Sequence, residues 1–506
     1  MPHSSGTGRK HPVRRHSRVA AAGLVTALVG FASAVIVSPA VAGAAATPSA
    51  RGSLAPFVRV GAAPHPPNAA RALGSLPAAA KLHIDVVLQP RDPAALARFA
   101  TNVSTPGSPL YRHYLARGQF PNAFGPTTTA VAAVEGVLRA DGLQLGAISA
   151  NHLSIPVTAT AERLSKAFST ELLRYEMPSG RIAFANSTAP LFPRSVAHLV
   201  QAVIGLDNLV LARPMGLVTA PKRPTPLVTP HVVTGGPQPC TAAIAGGTLY
   251  SSYTADQLAS AYQFSSLYGA GDFGAGQTVA IFELAPNHTS DISSYQSCYG
   301  TSASVSYVQV DGGSGAFGSG NGIEAALDIE DVIGLAPQAN IDVYQGPNNG
   351  GSGPYDTYNA IVTADTAQVI STSWGLCEPS ATASLVTAES TLFEQAATQG
   401  QSIFAATGDS GSEDCGSGST TLAVDDPASQ PYVTGVGGTT LTALGPPPTE
   451  TVWNESARGA GAGGGGISTY WTMPSYQANA PSSLNVINAH SSGSPCGAAT
   501  GYCRQV

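Results

Sequence analysis

A proline-rich stretch divides this chain into two parts that have to fold as separate domains. Residues 213–239 contain seven prolines and no regular alternation of apolar and polar residues, so neither a long helix nor an internal strand can run through them. With 506 residues, each side is long enough to bury a core of its own. We therefore predict two domains joined by an exposed linker, residues 213–239, that contains a processing site.

Charge changes sign at the same boundary. Residues 1–239 carry 22 Lys and Arg against 8 Asp and Glu, a net charge of +14, whereas residues 240–506 carry 2 against 22, a net charge of −20. Phosphate recognition needs clustered cations, so this composition excludes nucleic acid as a partner of the acidic part. The opposite charges predict that the basic side helps to hold the acidic side at neutral pH, and that acid weakens this hold.

All six cysteines lie on the acidic side of the linker. No two of them have the C-x-x-C spacing of zinc or redox sites, so structural disulfides in an exported protein are the better interpretation. From their order along the chain we predict three local bridges: Cys240–Cys298, Cys377–Cys415 and Cys496–Cys503.

The amino terminus has the order of an export signal. A basic stretch up to Arg18 is followed by an uncharged run, Val19–Val37, and by Ala40-Val41-Ala42. This order predicts a signal peptide over residues 1–42 and a secreted product without a stable membrane span after cleavage. Because the apolar run is longer than a typical signal core, a retained membrane anchor is the alternative.

The hydrophobic patterns also differ between the two sides. Residues 43–79 are rich in Pro and Ala, and residues 80–212 combine strand-like alternation with amphipathic helices, which predicts an α+β domain. Residues 240–506 contain apolar runs of strand length between helical patterns; the runs are 278–282, 341–344, 369–373 and 402–406, and the helical patterns are 322–333 and 384–399. This alternation predicts an α/β domain with a parallel sheet and helices on both faces.

Carboxylates dominate the candidate chemistry. Glu324 and Asp328 are four residues apart in a helical pattern and therefore lie on one face; they form either a solvated acidic face or a coupled pair that shares a proton. Asp409 follows an apolar run, where it is either a turn residue or a catalytic group at a strand end. His288 and His490, the histidines after residue 240, lie in polar loops and do not resemble an oriented base.

The Gly-rich stretch 459–466 is the remaining motif of note. No Gly-Lys-Ser or Gly-Lys-Thr follows it, so it is not a phosphate-binding loop. We interpret it as a flexible surface loop.

Taken in order, the motifs resemble the serine-carboxyl peptidases of the sedolisin and kumamolisin group. Glu324–Glu330 is similar to the family's Glu/Asp helix, Ser373-Trp374-Gly375 to its substrate-side strand, and Thr407–Gly411 to the loop of its oxyanion-hole aspartate. Upstream, Ser108–Tyr111 and Val203–Leu206 are similar to its activation prosegment. The resemblance implies a subtilisin-like peptidase domain over residues 240–506, a prosegment over 80–212 that acts as an intramolecular inhibitor, and protein or peptide substrates.

The same resemblance assigns roles by position. It implies that Glu324 is the general base, that Asp328 orients Glu324 and shares its proton, and that Asp409 stabilises the oxyanion. Glu283 and Trp374 would support the carboxyl network. A carboxylate base suits catalysis in acid, where a histidine is already protonated.

The nucleophile is a departure from the family pattern. The family places its serine in a Gly-Thr-Ser segment followed by Ala and Pro, downstream of a block similar to Tyr502-Cys503-Arg504, and this sequence ends at Val506. The resemblance therefore implies that the serine lies beyond Val506. The ligands of the family's structural calcium would lie there too, and no metal-binding residue is assigned within the chain.

Two functional hypotheses follow from these motifs. The first is a secreted, acid-acting endopeptidase zymogen with a Ser-Glu-Asp mechanism, truncated before its serine, so that the 506-residue chain itself does not turn over. The alternative is a catalytically dead product that acts only as a binding or inhibitory module.

Overall fold

The computed structural model describes residues 56–215, 232–250, 252–316, 322–415 and 419–506. The predicted signal peptide, the first part of the Pro/Ala-rich segment and residues 216–231 of the linker lie outside the described residues. Within the described ranges, no helix has both the length and the apolar character needed to cross a membrane.

The part of the chain up to Met215 is an α+β domain. Its last strand and the buried Met215 lie in the predicted linker, residues 213–239, so the prediction of an exposed connection is wrong for residues 213–215. The elements of this domain in chain order are β1 Phe57–Arg59, β2 Arg71–Ser75, β3 Lys81–Leu88, α1 Pro93–Ser104, α2 Phe120–Ala123, α3 Thr128–Ala140, β4 Gln144–Leu145, β5 Ser154–Thr160, α4 Ala161–Ala167, β6 Leu172–Glu176, β7 Ile182–Asn186, β8 Leu191–Pro193, α5 Arg194–Ala197, β9 Val200–Ile204 and β10 Arg213–Pro214.

An antiparallel sheet of order β4-β5-β3-β9 forms the centre of this domain. Strand β3 is buried on both faces: Ile84 and Val86 face the domain's own core, whereas Val87 belongs to the core shared with the second domain. Helix α1 follows, with Pro93 at its first position and the Asp92 side chain accepting a hydrogen bond from the Ala95 amide, a favourable start for a helix.

Two strands extend the domain beyond its predicted start at residue 80. Strand β1 pairs with β8, and β2 pairs with β6. Both lie in the segment that composition describes only as rich in Pro and Ala, because strands of three to five residues produce little periodic signal.

The second part is the predicted α/β domain. Its elements in chain order are α6 Thr241–Tyr250, α7 Ala255–Ala261, α8 Ser265–Gly269, β11 Thr278–Glu283, α9 Thr289–Tyr299, β12 Ser304–Gln309, α10 Gly322–Leu335, β13 Asn340–Gln345, α11 Gly353–Ala364, β14 Val369–Thr372, β15 Trp374–Cys377, α12 Ala383–Gln399, β16 Ser402–Ala406, β17 Asp425–Asp426, β18 Val433–Val436, β19 Thr439–Ala443, β20 Thr449–Val452, β21 Ile467–Thr472, α13 Ser475–Ala478 and β22 Cys503–Gln505.

A six-stranded parallel sheet of order β12-β13-β11-β14-β16-β18 organises this domain. Along β11 the side chains alternate between two cores. Ile281 packs with Ile292 of α9 and Ile329 of α10, whereas Phe282 packs with Tyr358 of α11 on the other face. Helices therefore cover both faces, and the predicted architecture, an α/β domain with a parallel sheet preceded by an α+β domain, is confirmed.

Helix α12 joins the two domains. It begins after Thr382, whose hydroxyl accepts a hydrogen bond from the Leu385 amide, and ends at Gly400 in the left-handed conformation. It packs against β16 of its own sheet and against α1 and β9 of the prosegment. Leu392 of α12 and Leu96 of α1 belong to the same buried core, so one continuous core spans the boundary between the domains.

The six cysteines form the three predicted bridges, Cys240–Cys298, Cys377–Cys415 and Cys496–Cys503. The second of these ties the end of β15 to the segment that follows β16. That segment contains Asp409, so the disulfide stabilises the loop on which this carboxylate lies.

Candidate active site

Helix α10 presents Glu324 and Asp328 toward the carboxyl ends of the parallel strands. Glu324 is only 1% exposed, and its Oε2 atom has no hydrogen-bond partner among the described residues. The solvated-face interpretation of these acids is therefore wrong. Their helical spacing places both carboxyls in one buried group, where two negative charges cannot coexist cheaply.

Burial sets the protonation of this pair. It is the main cause that raises the pKa of Glu324 to about 8, and the Asp328 charge adds to it. Burial likewise raises the pKa of Asp328 to about 6, although hydrogen bonds from neighbouring groups oppose the shift. Between about pH 6 and about pH 8 the two carboxyls together hold one proton. The pair can therefore accept a proton from a third group or donate one to it.

Glu283 and Trp374 extend the carboxyl network into the core. Glu283 is the last residue of β11 and is fully buried, and its Oε2 accepts a hydrogen bond of 3.0 Å from Trp374 Nε1. Burial and the nearby Asp328 charge raise the pKa of Glu283 well above its usual value. Protonated Glu283 can donate to Asp328, and Trp374 fixes the orientation of its carboxyl.

Ser373 supplies a hydroxyl to the same group. It lies in the break between β14 and β15, and its Oγ donates a 2.9 Å hydrogen bond to Asp328 Oδ1. The single proton of this hydroxyl can alternatively be donated to Glu324, and a bond to either carboxyl lowers the pKa of that carboxyl. The sequence motif Ser373-Trp374 therefore contributes two side chains to the carboxyl network.

Asp409 lies on the loop that follows β16, on the same side of the sheet. Its charge contributes to the raised pKa of Glu324. Gly408, which precedes it, has φ of 109°, and a Cβ there would lie 1.5 Å from Asp414 Oδ2. Only glycine fits this backbone conformation, and Asp414 braces the turn by accepting a hydrogen bond from the Ser410 amide.

The Gly-rich stretch packs against this loop and is not a free surface loop. The Gly464 amide donates to the Gly408 carbonyl at 2.9 Å, and the Ala462 amide donates to the Asp409 carbonyl at 2.9 Å. The prediction of a flexible loop is therefore wrong. Glycines are needed here because two backbones approach closely; a Cβ on Gly464 would lie 1.9 Å from the Thr407 carbonyl oxygen.

The end of the prosegment lies on the strand next to the acids. Strand β10 pairs antiparallel with β15, with Arg213 opposite Gly375 and Pro214 opposite Trp374. The Met215 amide then donates to the Ser373 carbonyl at 2.6 Å. The chain that leaves the prosegment therefore forms backbone hydrogen bonds along the Ser373-Trp374-Gly375 edge.

Comparison with known proteins agrees with this arrangement. Residues 68–209 match the family model "Pro-kumamolisin, activation domain", and residues 312–503 match the "Subtilase family" model. The chain is 31% identical over 430 residues to sedolisin from Pseudomonas sp. (strain 101), a match that covers 81% of this chain and 69% of sedolisin. The chain belongs to the sedolisin family of serine-carboxyl peptidases.

Two further sedolisin-family proteins show a similar match. Xanthomonalisin from Xanthomonas sp. (strain T-22) is 32% identical over 459 residues, covering 82% of this chain and 54% of xanthomonalisin. Kumamolisin from Bacillus sp. (strain MN-32) is 33% identical over 391 residues, covering 75% of this chain and 66% of kumamolisin. The chain thus spans between about half and two thirds of the length of these relatives.

Sequence reasoning overlooked one Gly-Thr-Ser segment, Gly300–Ala303. Ser302 in this segment is exposed and precedes β12, at the amino ends of the parallel strands. Gln309 at the other end of β12 pairs with Gln345, which pairs with Glu283. At about 3.3 Å per residue, Ser302 lies roughly 20 Å from the carboxyl network, so it does not act as the nucleophile for Glu324.

The sequence also did not indicate the roles of Ser373 and Asp414 in the site. Ser373 was recognised only as part of a strand motif, and nothing in the spacing of Asp414 marks it as the brace of the Asp409 loop. Proximity of Asp414 to Asp409 along the chain was the one available signal. The predicted surface positions of His288 and His490 are confirmed, since both are exposed.

Proposed function

We propose that this chain is the pro-form of a secreted, acid-acting serine-carboxyl endopeptidase that hydrolyses peptide bonds in proteins. The observation that carries the proposal is the buried Glu324–Asp328 pair beside the Ser373-Trp374-Gly375 edge, on which a segment of the chain is already paired. Membership of the sedolisin family supports the reaction class. Secretion is proposed from the order of residues at the amino terminus.

Glu324 is proposed as the general base. It takes the proton of a serine hydroxyl as the oxygen attacks the peptide carbonyl carbon, and it returns that proton to the leaving amine when the peptide C–N bond breaks. Asp328 shares the proton and holds the Glu324 carboxyl in position. Glu283 and Trp374 act through Asp328, so they are positioning residues.

Asp409 is proposed to stabilise the oxyanion. A carboxyl donates a hydrogen bond to developing negative charge only in its protonated form. Catalysis by this residue therefore favours acid. A nucleophile hydroxyl that donates to Glu324 would lower the pKa of that carboxyl below its value of about 8, toward the range in which it accepts a proton in acid.

The nucleophile is proposed to lie outside residues 1–506. The remaining Gly-Thr-Ser segment, Gly300–Ala303, is at the wrong end of the sheet, and Ser373 donates to Asp328 from within the strand edge. We therefore expect the 506-residue polypeptide by itself to show no peptidase turnover. The structural calcium that the resemblance implies is likewise assigned to no residue of this chain.

The prosegment is proposed to act as an intramolecular inhibitor. Strand β10 and Met215 use backbone hydrogen bonds of the Ser373-Trp374-Gly375 edge, and an extended peptide substrate would need the same bonds. Cleavage in the linker would then release the edge for substrate.

The proposal is tested with the secreted full-length gene product, assayed on a denatured protein substrate between pH 3 and pH 7. We expect cleavage that is strongest in acid and at least about a hundredfold weaker in Glu324→Gln, since a general base contributes ~10²–10⁴-fold. The matched control is Glu330→Gln on the same helix, because Glu330 interacts with Asp291 away from the site, and we expect it to retain activity.

Undiminished activity of Glu324→Gln would contradict the proposed mechanism. Acid-dependent turnover by the purified 506-residue chain would contradict the placement of the nucleophile outside residues 1–506. A secreted product that cleaves nothing in acid but inhibits a separate, active sedolisin-family peptidase would support the alternative, a binding or inhibitory module.

A further inference from the structure

A second polar group lies between the two domains, away from the proposed active site. His83 and Asp85 are two residues apart on β3 of the prosegment and so point to the same face, and Asp356 lies in the first turn of α11 of the peptidase domain. The Nε2 atom of His83 is 3.8 Å from Asp85 Oδ2 and 3.8 Å from Asp356 Oδ2. All three atoms lie within 4.8 Å of one another.

When both carboxyls are ionised, their Oδ2 atoms lack the donors that buried polar groups need. Asp85 is fully buried, and neither its Oδ2 nor Asp356 Oδ2 has a hydrogen-bond partner among the described residues. A separation of 3.8 Å is too long for a hydrogen bond from the imidazole. The Nε2–H bond of His83 also points in a single direction, so it could donate to only one of the two Oδ2 atoms, which lie at equal distances from Nε2.

The surrounding groups orient all three side chains toward a common point. The Ser154 hydroxyl donates to Asp85 Oδ1. This bond orients the carboxyl so that its Oδ2 atom points toward His83 and Asp356. His83 Nδ1 lies 3.4 Å from Thr158 Oγ1; the tautomer that donates to this oxygen leaves the Nε2 lone pair facing the two carboxylates. Such outer hydrogen bonds are typical of ligating histidines and carboxylates.

The charge of the group calls for a cation. Asp85 and Asp356 lie close enough to interact directly, and Asp311 is a third carboxyl beside them. The buried Tyr355 hydroxyl lies near the charges of Asp85 and Asp356 and has no hydrogen-bond partner among the described residues. Within 4 Å, no Lys or Arg of the described residues forms an ion pair with Asp85 or Asp356.

We propose that His83, Asp85 and Asp356 bind one divalent cation of the zinc class, which joins the prosegment to the peptidase domain. Three protein ligands with water in the remaining position are common for Zn²⁺, with ligand distances of about 2.0–2.2 Å. That geometry places neighbouring ligand atoms about 3.4 Å apart, so the two His83–carboxylate separations of 3.8 Å and the separation of the two carboxylate oxygens, within 4.8 Å, contract when the ion binds. One imidazole with two carboxylates favours Zn²⁺ over Ca²⁺ and Mg²⁺, which prefer oxygen ligands alone.

The ion would act as a non-covalent cross-link between domains. Its ligands come from β3 and from α11, so binding requires the docked arrangement and stabilises it by mass action. This inference does not depend on peptidase chemistry, because metal binding is measured without any cleavage. It can therefore fail while the proposed function stands, and the reverse also holds.

The test uses the full chain, stripped with EDTA, dialysed and titrated with zinc sulfate at pH 7.5 by calorimetry. We expect His83→Gln and Asp356→Asn each to remove one zinc per chain, or to weaken that site at least about tenfold. Zinc should also raise the melting temperature of the wild type but not of these variants. The controls are His113→Gln and Asp342→Asn, the same substitutions at positions outside the group.

Retention of the same stoichiometry, affinity and zinc-dependent melting shift in both variants would overturn the proposal. The proposal would also be overturned if Asp356→Asn raised the melting temperature and zinc had no effect on the wild type. That result would show that a proton shared by the two carboxyls, and not a metal ion, satisfies them. If the variants do not fold, the wild type decides: cobalt should produce the visible absorption of a four-coordinate site with nitrogen and oxygen ligands. A spectrum of hexaaquo cobalt would reject the site.

Discussion

At the scale of single residues, burial more than identity gives the acids of this chain their properties. Glu324 and Asp328 have the spacing of many surface carboxylates on helices, and that spacing alone left the solvated face open as an interpretation. The structure removes Glu324 from water and places Glu283 behind Asp328. The Asp328 charge then raises the pKa of both Glu283 and Glu324, and the hydroxyl of Ser373 is a group that opposes such shifts.

The role of Ser373 leads to a prediction about the pKa of Asp328. A hydroxyl that donates to the ionised carboxylate lowers its pKa, so Ser373→Ala should raise the pKa of Asp328 above its present value of about 6, by roughly 0.5 or more. The measurement is a pH titration of carboxyl carbons by NMR on chain labelled with ¹³C-aspartate. Ser306→Ala is the matched control, since it removes a hydroxyl from Asp342, a different carboxylate of the same sheet.

An Asp328 resonance that titrates at the same pH in Ser373→Ala and in the wild type would contradict this prediction. A shift of equal size in Ser306→Ala would do so as well, because it would show a general response of the protein.

At the scale of elements, helix α12 decides how the prosegment docks. The apolar residues of α12 enter the shared core, but polar residues at every fourth position form one face of the helix: Thr387, Thr391 and Gln395. Gln201 of β9 donates to Thr391 Oγ1 at 2.9 Å and to the Thr387 carbonyl at 3.0 Å. Asn151 donates to Gln395 Oε1 at 2.9 Å. The sequence pattern predicted the helix, but it did not indicate that Gln201 and Asn151 of the prosegment would bind its polar face.

Asn151 is the residue through which this docking can be tested. Its buried Nδ2 atom donates both to Gln395 Oε1 and to Asn359 Oδ1, the latter at 2.8 Å. Asn151→Ala leaves the buried Gln395 Oε1 without a donor, whereas Asn359 Oδ1 keeps the Thr363 hydroxyl, and we expect the free energy of unfolding to fall by about 1–3 kcal/mol. Guanidinium unfolding of the full chain measures this loss, with the exposed Asn122→Ala as the control, for which a change within ~0.5 kcal/mol is expected. A loss in Asn151→Ala no larger than that of the control would refute the assignment.

At the scale of the whole molecule, the contrast in charge does not appear as ion pairs between the domains. The Arg71–Glu176 and Arg139–Glu135 ion pairs lie within the prosegment, and across the boundary Arg213 interacts with Asp414 and Asp425 beyond ion-pair distance. The interface is mainly apolar, with a few buried hydrogen bonds. Arg504, one of the two cations after residue 240, is buried and donates to the carbonyls of Ala428 and Val433. An electrostatic hold therefore remains a prediction about long-range charge.

The shortage of cations has a consequence for stability against pH. Burial raises the pKa of Glu324 and Asp425 to about 8, of Glu394 to about 7 and of Asp207 to about 6. A carboxyl whose pKa is higher in the folded state than in the unfolded chain binds more protons when folded. Its contribution to stability is then greatest below the unfolded value near 4 and is lost as the pH rises toward the folded value.

We therefore expect the full chain to be more stable at pH 4.5 than at pH 7.5, by roughly 2–3 kcal/mol or more, because each excess proton bound by the folded chain contributes about 1.4 kcal/mol for every pH step of one. Urea unfolding at constant ionic strength measures this difference. Glu283→Gln, which replaces a buried carboxyl by an uncharged group of the same shape, should reduce it. Equal or greater stability at pH 7.5 would contradict the expectation.

The sequence by itself determined much about this protein through local signals. Apolar runs of strand length and helical spacing predicted β11, β13, α10 and α12 within a few residues, because such patterns depend only on which side chains enter a core. Cysteine order predicted the three bridges. The ordered motifs around Glu324, Ser373 and Asp409 indicated the family, and the breaks in composition marked the linker.

Tertiary structure decided what depends on distance and on solvent. Only the sheet order brings Glu283, Trp374 and Ser373 to Glu324 and Asp328, and only burial turns a repulsive surface pair into one that shares a proton. Likewise, His83 and Asp356 are far apart in the chain, and docking of β3 against α11 places them together. The physical reason is that charge interactions and desolvation depend on three-dimensional distance and on water, neither of which a linear pattern records.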